Sequence, residues 1–175
     1  FGILKVTGSK SRSTLGSVAA RPASGPLSKA VSSPVPSGCW AARTGWTGAP
    51  FSSAQLRFRV FGAEDVPELV TLAGDEEVAR WTAAVPHPFN EDDAHEYIER
   101  ARAENRMVFA IETLADDVFI GCIRVDQESD DRGDIGYWIG RPYWGRGYGS
   151  EALKRVVRFG FEQADLATIE AEVMQ

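Results

Sequence analysis

The ten residues from Arg141 to Ser150 constrain the fold of this chain most, because they join a strand-like run to a helix-like run through a glycine-rich loop. The strand-like run is Asp134–Ile139 and the helix-like run is Glu151–Glu162. A helix that begins after such a loop directs unpaired N–H groups and the positive end of its dipole into the loop. Glycines at alternate positions permit left-handed backbone angles and the close approach of a phosphate, and they are Gly145, Gly147 and Gly149. The segment therefore predicts a site for a phosphorylated cofactor.

Two common phosphate-binding motifs do not match this loop. A nucleoside-triphosphate loop places Lys and then Ser or Thr directly after its last glycine, where this chain has Ser150 and Glu151. A dinucleotide fingerprint needs a different glycine spacing and a βαβ unit with a later acidic residue. What remains is a diphosphate bound by backbone amides and arginines without a metal, which is how coenzyme A is usually held.

Residues 144–149, Trp-Gly-Arg-Gly-Tyr-Gly, match the cofactor motif Gln/Arg-x-x-Gly-x-Gly/Ala except at Trp144. Further matches are Ile-Gly-Tyr-Trp-Ile at 135–139, Gly-Ser-Glu-Ala at 149–152 and Ile-Glu-Ala-Glu-Val at 169–173. Through these residues the stretch from Leu56 onward resembles the GNAT superfamily of acyl-CoA N-acyltransferases, within the branch that acetylates the N-termini of ribosomal proteins. The resemblance implies a mixed α/β fold, with a mostly antiparallel central sheet flanked by helices, and with the family's last helix and strands missing.

The resemblance also implies acetyl-CoA as the cosubstrate, no metal, and a primary amine as the acceptor. In the family the strand before the loop and the strand after the next helix splay apart, and the pantetheine lies along the first of them. This implies cofactor contacts at Trp138, Ile139 and Gly140, where a backbone N–H can polarise the thioester carbonyl. The loop residues implied to bind the cofactor are Trp144, Gly145, Arg146, Gly147, Tyr148, Gly149 and Ser150.

A carboxylate is expected to deprotonate the acceptor, because an ammonium group cannot attack a thioester. Glu172 is the first candidate, since relatives that acetylate α-amines use a glutamate in the equivalent Glu-Val pair. Glu170 and Asp134 are further candidates, and for all three an ordinary solvated strand position is the alternative. A second class of function also stays open, namely a non-catalytic acyl-CoA-binding or interaction module of the same fold.

Charge divides the chain into two parts. Residues 1–54 contain no Asp or Glu and carry +6, while residues 55–175 carry −12. The first part is rich in Ser, Gly and Pro, so we expect a disordered basic tail over 1–54, or alternatively an organellar transit peptide, before a domain over 55–175. The acidic domain favours a cationic acceptor, a protein N-terminus or a small-molecule amine, over a nucleic acid.

Other features of the sequence exclude some classes of protein. No run approaches the roughly twenty apolar residues that cross a membrane, so no membrane contact and a cytoplasmic location are expected. The two cysteines and two histidines lack the spacing of a metal site. The oligomeric state is not indicated.

Hydrophobic patterning predicts an alternating order of helices and strands. Asp65 and Asn90 are predicted to cap helices, the second with a buried face of Ala94, Ile98 and Ala101. Strands are predicted at 56–61, 107–113, 118–125, 134–139 and 168–174, and a short helix at 76–81. Because the family pattern continues past the last of these strands, 168–174 is expected to present an unpaired edge, and the fragment to be marginally stable and nearly inactive.

Overall fold

The computed structural model describes residues 2–7, 49–82, 85–102, 106–129 and 131–173, with the backbone alone at 2–7 and 172–173. The strands are β1 (Gly2–Thr7), β2 (Phe51–Ser52), β3 (Leu56–Arg59), β4 (Arg106–Thr113), β5 (Phe119–Gln127), β6 (Arg132–Ile139) and β7 (Thr168–Val173). The helices are α1 (Val66–Ala73), α2 (Glu76–Arg80), α3 (Glu91–Ala101) and α4 (Tyr148–Glu162), with short 3-10 turns at Ala63–Asp65 and Arg141–Tyr143.

The described strands form one sheet in the order β1-β7-β6-β5-β4-β3-β2. Every neighbouring pair is antiparallel except β6 and β7, which are parallel and joined through α4. The expected mixed α/β architecture with a mostly antiparallel sheet is confirmed. A parallel pair needs a crossover connection, and α4 supplies it, so the glycine-rich loop lies where β6 meets that helix.

Alternating side chains of the strands build two cores, one on each face of the sheet. The face under α4 buries Phe109, Ile123, Ile135 and Ile139 with Val156 and Phe159 of the helix. The opposite face buries Val108, Ala110, Cys122 and Trp138 against Leu69, Ala94 and Ile98 of α1 and α3. Within the described residues, no helix is long and apolar enough to cross a membrane.

The two predicted helix caps differ in outcome. Asn90 accepts hydrogen bonds from the N–H groups of Asp92 and Asp93 at 2.8 and 3.1 Å, which confirms it as the N-cap of α3. Asp65 precedes α1, but its side chain makes no capping bond to that helix. It is buried and accepts two hydrogen bonds from Arg59, at 2.6 and 2.7 Å, because a buried carboxylate needs a charged partner.

Two short strands lie within the range 1–54, for which the composition predicts a disordered tail. Gly2–Thr7 forms β1, and Phe51–Ser52 forms β2 on the opposite edge of the sheet. Phe51 packs against the core beneath α4, so its aromatic surface offsets the entropy of ordering this short segment. The stretch between them, 8–48, lies outside the described residues.

The expected unpaired edge at 168–174 is wrong. Strand β1 pairs antiparallel with β7 over six positions, from Gly2 opposite Val173 to Thr7 opposite Thr168. Because β6 pairs with the other side of β7, backbone groups on both sides of this strand have a ladder partner. Among the described strands, β1 is therefore the edge of the sheet at this end.

Candidate active site

The loop between β6 and α4 has the backbone geometry of an anion site. Gly145 and Gly147 adopt left-handed angles, with φ of +74° and +82°, which β-carbon-bearing residues rarely adopt. No atom outside the neighbouring residues lies within 4 Å of the place where a Cβ would stand on either glycine, so the space beside both is open. Gly147 is also the N-cap of α4 and lacks a side chain to bond the first amides of the helix.

Amides of the loop and of the first helical turn are available to a ligand. The first hydrogen bond of α4 runs from the Glu151 N–H to the Gly147 carbonyl oxygen at 3.0 Å. The six N–H groups from Gly145 to Ser150 therefore precede the ladder of the helix, and none donates to another described residue. Arg146 lies 5.8 Å from the Tyr143 ring centre and is exposed, so it can add positive charge. Together these groups fit the diphosphate of coenzyme A.

Strands β6 and β7 separate at the end that carries the loop. Their parallel pairing runs from Arg132 opposite Thr168 to Ile135 opposite Ala171. Beyond that point β6 continues to Ile139 and β7 to Val173 without pairing to each other in the described part of the chain. The gap between the separated strand ends, called the splay below, is the feature that the family resemblance implied.

The backbone of β6 presents the peptide groups of Ile139 to the splay. The Gly140 N–H donates to the Ile120 carbonyl oxygen at 2.8 Å, on the β5 side. Because a trans peptide directs its N–H and C=O in opposite directions, the Ile139 carbonyl points away from β5 and toward the splay. The Ile139 N–H points the same way, since both groups of a strand residue face one neighbour. Gly140 was predicted to contact the cofactor, but its amide is already used within the sheet.

The aromatic residues beside the loop have distinct surroundings. Trp144 is 44% exposed and its indole N–H donates to the Ile139 carbonyl oxygen at 2.5 Å. Trp138 is buried on the opposite face of the sheet, so its side chain does not face the loop. Tyr137 is a further residue beside the loop that the sequence analysis did not predict. A Cβ on Gly149 would lie 2.8 Å from the Tyr137 ring. The glycine therefore allows the start of α4 to lie close to β6.

The predicted acidic candidates occupy different levels along the strands. Asp134 and Glu170 are opposite one another where β6 and β7 still pair. Each carboxylate faces an arginine, Asp134 with Arg124 at 3.4 Å and Glu170 with Arg132 at 3.0 Å. Glu172 lies past the last pair, in the separated part of β7. No pattern in the sequence indicates these arginine pairs, because they depend on the register of strands far apart in the chain.

One thiol and one hydroxyl group meet between β5 and α3, where Cys122 is buried and Tyr97 is partly buried. The Tyr97 hydroxyl lies 3.1 Å from the Cys122 sulfur. Burial raises the pKa of the Cys122 thiol to about 12 and raises the pKa of Tyr97 as well, so both groups are neutral near pH 7. Among the described residues, no cluster of His, Cys, Asp and Glu could hold a metal ion.

Comparison with known proteins decides the family. Residues 55–175 match the family model described as an acetyltransferase (GNAT) domain. The chain belongs to the GNAT acetyltransferase family. The match begins one residue before β3 and includes the splay and the loop. A curated relative, "Uncharacterized N-acetyltransferase p20" of Bacillus licheniformis, is 45% identical over 49 residues, which are 28% of this chain and only 27% of that protein.

Solved GNAT structures share the fold. A GNAT-family acetyltransferase from Bacillus anthracis superposes with a TM-score of 0.60 at 19% identity, covering 67% of this chain and 69% of that chain. The spermidine N-acetyltransferase of Vibrio cholerae, in complex with CoA and spermine, superposes with a TM-score of 0.60 at 16% identity, covering 69% of this chain and 72% of that chain. The ribosomal-protein-S5-alanine acetyltransferase of Vibrio fischeri superposes with a TM-score of 0.54 at 16% identity, covering 67% of this chain and 70% of that chain. These identities establish the fold and leave the acceptor open.

Proposed function

We propose that this GNAT domain transfers the acetyl group of acetyl-CoA to a primary amine, by direct attack within a ternary complex. The observation that supports this most is the combination of six available amides at the start of α4 with an adjacent splay that presents both peptide groups of Ile139. The loop amides and Arg146 would hold the diphosphate, and the splay would receive the pantetheine as an additional strand.

In this proposal the Ile139 N–H polarises the thioester carbonyl. The amine nitrogen forms a bond to the carbonyl carbon, the carbon–sulfur bond breaks, and the sulfur leaves as the thiolate. Negative charge develops on the carbonyl oxygen during attack, and an amide fixed by the strand can stabilise it without reorganising. The Gly140 amide cannot take this role, because it donates to Ile120 within the sheet.

We propose Glu172 rather than Asp134 as the base that accepts the proton of the amine. Asp134 precedes Ile139 by five positions, which is about 16 Å along an extended strand. A general base acts within hydrogen-bonding distance or through one water, so the carboxylate nearer the level of Ile139 is the better placed of the two. The Arg124 guanidinium also compensates the charge of Asp134. Since Ala171 pairs with Ile135, Glu172 lies just past the last pair of β6 and β7, at the level of Gly136 and two positions nearer Ile139 than Asp134.

A cationic acceptor suits the charge of the domain. Residues 55–175 carry −12, and the first turn of α3 contributes Glu91, Asp92 and Asp93. Such a field attracts protonated amines and repels nucleic acid. Two structural neighbours are named for spermidine and for a ribosomal protein, so polyamines and protein N-termini are the first acceptors to screen.

The test supplies acetyl-CoA with a panel of polyamines and N-terminal peptides and measures the release of free CoA thiol. We expect thiol release with at least one amine, and much slower release by Glu172→Gln across the pH range. Asp134→Asn is the matched control, since it removes a carboxylate from the neighbouring strand and should leave the pH profile in place. CoA binding without thiol release for any amine would instead support the non-catalytic acyl-CoA-binding module.

A further inference from the structure

The indole of Trp144 is hydrogen-bonded to a backbone carbonyl that faces the splay. Its N–H donates to the Ile139 carbonyl oxygen at 2.5 Å, while the ring itself remains 44% exposed. The bond joins the anion loop to the end of β6, five residues earlier in the chain. Of the two Ile139 groups that face the splay, the carbonyl therefore already accepts a hydrogen bond, whereas the N–H lies beyond the last residue of β6 that pairs with β7.

A pantetheine arm that lies along β6 as an extra strand needs acceptors as well as donors. Each of its two amide groups carries an N–H, and an N–H removed from water must find a carbonyl oxygen. The Ile139 carbonyl is the acceptor closest to the loop on this strand, because the Gly140 peptide continues into the 3-10 turn at Arg141–Tyr143. The Trp144 indole and the pantetheine would therefore require the same oxygen.

We propose that Trp144 is a positioning residue that competes with the pantetheine for the Ile139 carbonyl and so lowers the affinity for the pantetheine half of coenzyme A alone. The inference rests on the proposed use of coenzyme A. On binding, the indole leaves the carbonyl, and its exposure allows water to satisfy the released N–H. The loop amides that would hold the diphosphate are untouched by this exchange, since none of them bonds to the indole.

The test compares two ligands on the full chain by calorimetry. Coenzyme A contains the pantetheine, whereas adenosine 3′,5′-bisphosphate presents only nucleotide phosphates to the loop. Trp144→Phe keeps an aromatic ring and removes the N–H, so its coenzyme A affinity should rise about two- to tenfold, the equivalent of one net hydrogen bond. Its affinity for the bisphosphate should stay unchanged. Trp81→Phe, at another exposed tryptophan, is the matched control and should change neither affinity.

A second readout follows the indole directly. The protein is labelled with 5-fluorotryptophan, and the resonance lost in Trp144→Phe identifies Trp144 among the five tryptophans. That resonance should shift with coenzyme A and not with the bisphosphate. An unshifted resonance, or an unchanged or weaker coenzyme A affinity in Trp144→Phe, overturns the inference while binding itself persists. If neither ligand binds the unmodified chain, the proposed function fails first.

Discussion

Replacing Phe51 by Ala tests whether the segment just before β3 belongs to the folded domain. The Phe51 ring stacks on Phe159 of α4, with 4.6 Å between ring centres and 6° between planes. It also stacks on Phe58 at 5.0 Å and meets the edge of Phe109 at 5.0 Å. The Arg155 guanidinium carbon lies 4.6 Å from its ring centre on the exposed side. This single residue thus joins β2, β3, β4 and α4.

The cost of Phe51→Ala can be worked out from these contacts. Half-burial of a phenylalanine contributes about 1 kcal/mol, since full burial contributes about 1.5–3 kcal/mol. Aromatic pairs add about 0.5–1.5 kcal/mol each and share one ring, so the three together give roughly 1–2 kcal/mol. We expect the free energy of unfolding to fall by about 2–3 kcal/mol, which lowers the melting temperature of a domain of this size by roughly 6–15 °C.

Thermal and urea unfolding, followed by circular dichroism, measure this loss. Phe51→Leu is the matched control, because it keeps most of the apolar volume and removes only the ring stacking, so its loss should be about half as large. If Phe51→Ala melts within a degree or two of the unmodified chain, the segment before β3 contributes nothing to the stability of the domain.

Three further perturbations test other parts of the structure. Gly147→Val forces a β-branched residue to φ +82° and should weaken coenzyme A binding by more than tenfold in calorimetry; an unchanged affinity would remove the loop as the cofactor site. Arg59→Met leaves the carboxylate of Asp65 buried and unpaired and should cost about 3–5 kcal/mol in urea unfolding, with Arg59→Lys intermediate; a loss below about 1 kcal/mol would mean that the pair is solvated. Deleting residues 1–7 should speed hydrogen exchange at the β7 amides that pair with β1, and unchanged exchange there would show that β1 does not hold this edge.

Local signals in the sequence were sufficient to predict most helices and strands of the domain. The alternation of apolar residues placed β4 and β5 within two residues of their observed bounds. Asn90, followed by three acidic residues, marked the start of α3 because a side-chain cap and the helix dipole act within a single turn. The glycine spacing located the loop for the same reason, since positive φ angles are a property of individual residues.

Features that depend on contacts between segments far apart in the chain could not be predicted from local signals. The composition of 1–54 is averaged over a long Ser-, Gly- and Pro-rich stretch, which obscured the short β-branched run at 2–7 and the single aromatic anchor at Phe51. The Arg124 and Arg132 ion pairs require the register of β5, β6 and β7. The bond from Trp144 to Ile139 requires the path of the loop, which no residue pattern specifies.

Register in the sheet decides which peptide groups the proposed site can use. The register of β6 against β5 makes the Gly140 N–H donate to the Ile120 carbonyl oxygen. The same register directs the N–H and C=O of Ile139 toward the splay. A slip by one residue would turn the Ile139 groups toward β5 and would move every β6 side chain to the opposite face. Trp138 packs under α1 and α3 while Ile139 packs under α4, so a slip would invert both at the cost of two buried side chains. Gly121 adds a steric constraint, since a Cβ there would lie 2.3 Å from the Trp138 carbonyl oxygen. Core packing on both faces therefore fixes the backbone groups on which the proposed chemistry depends.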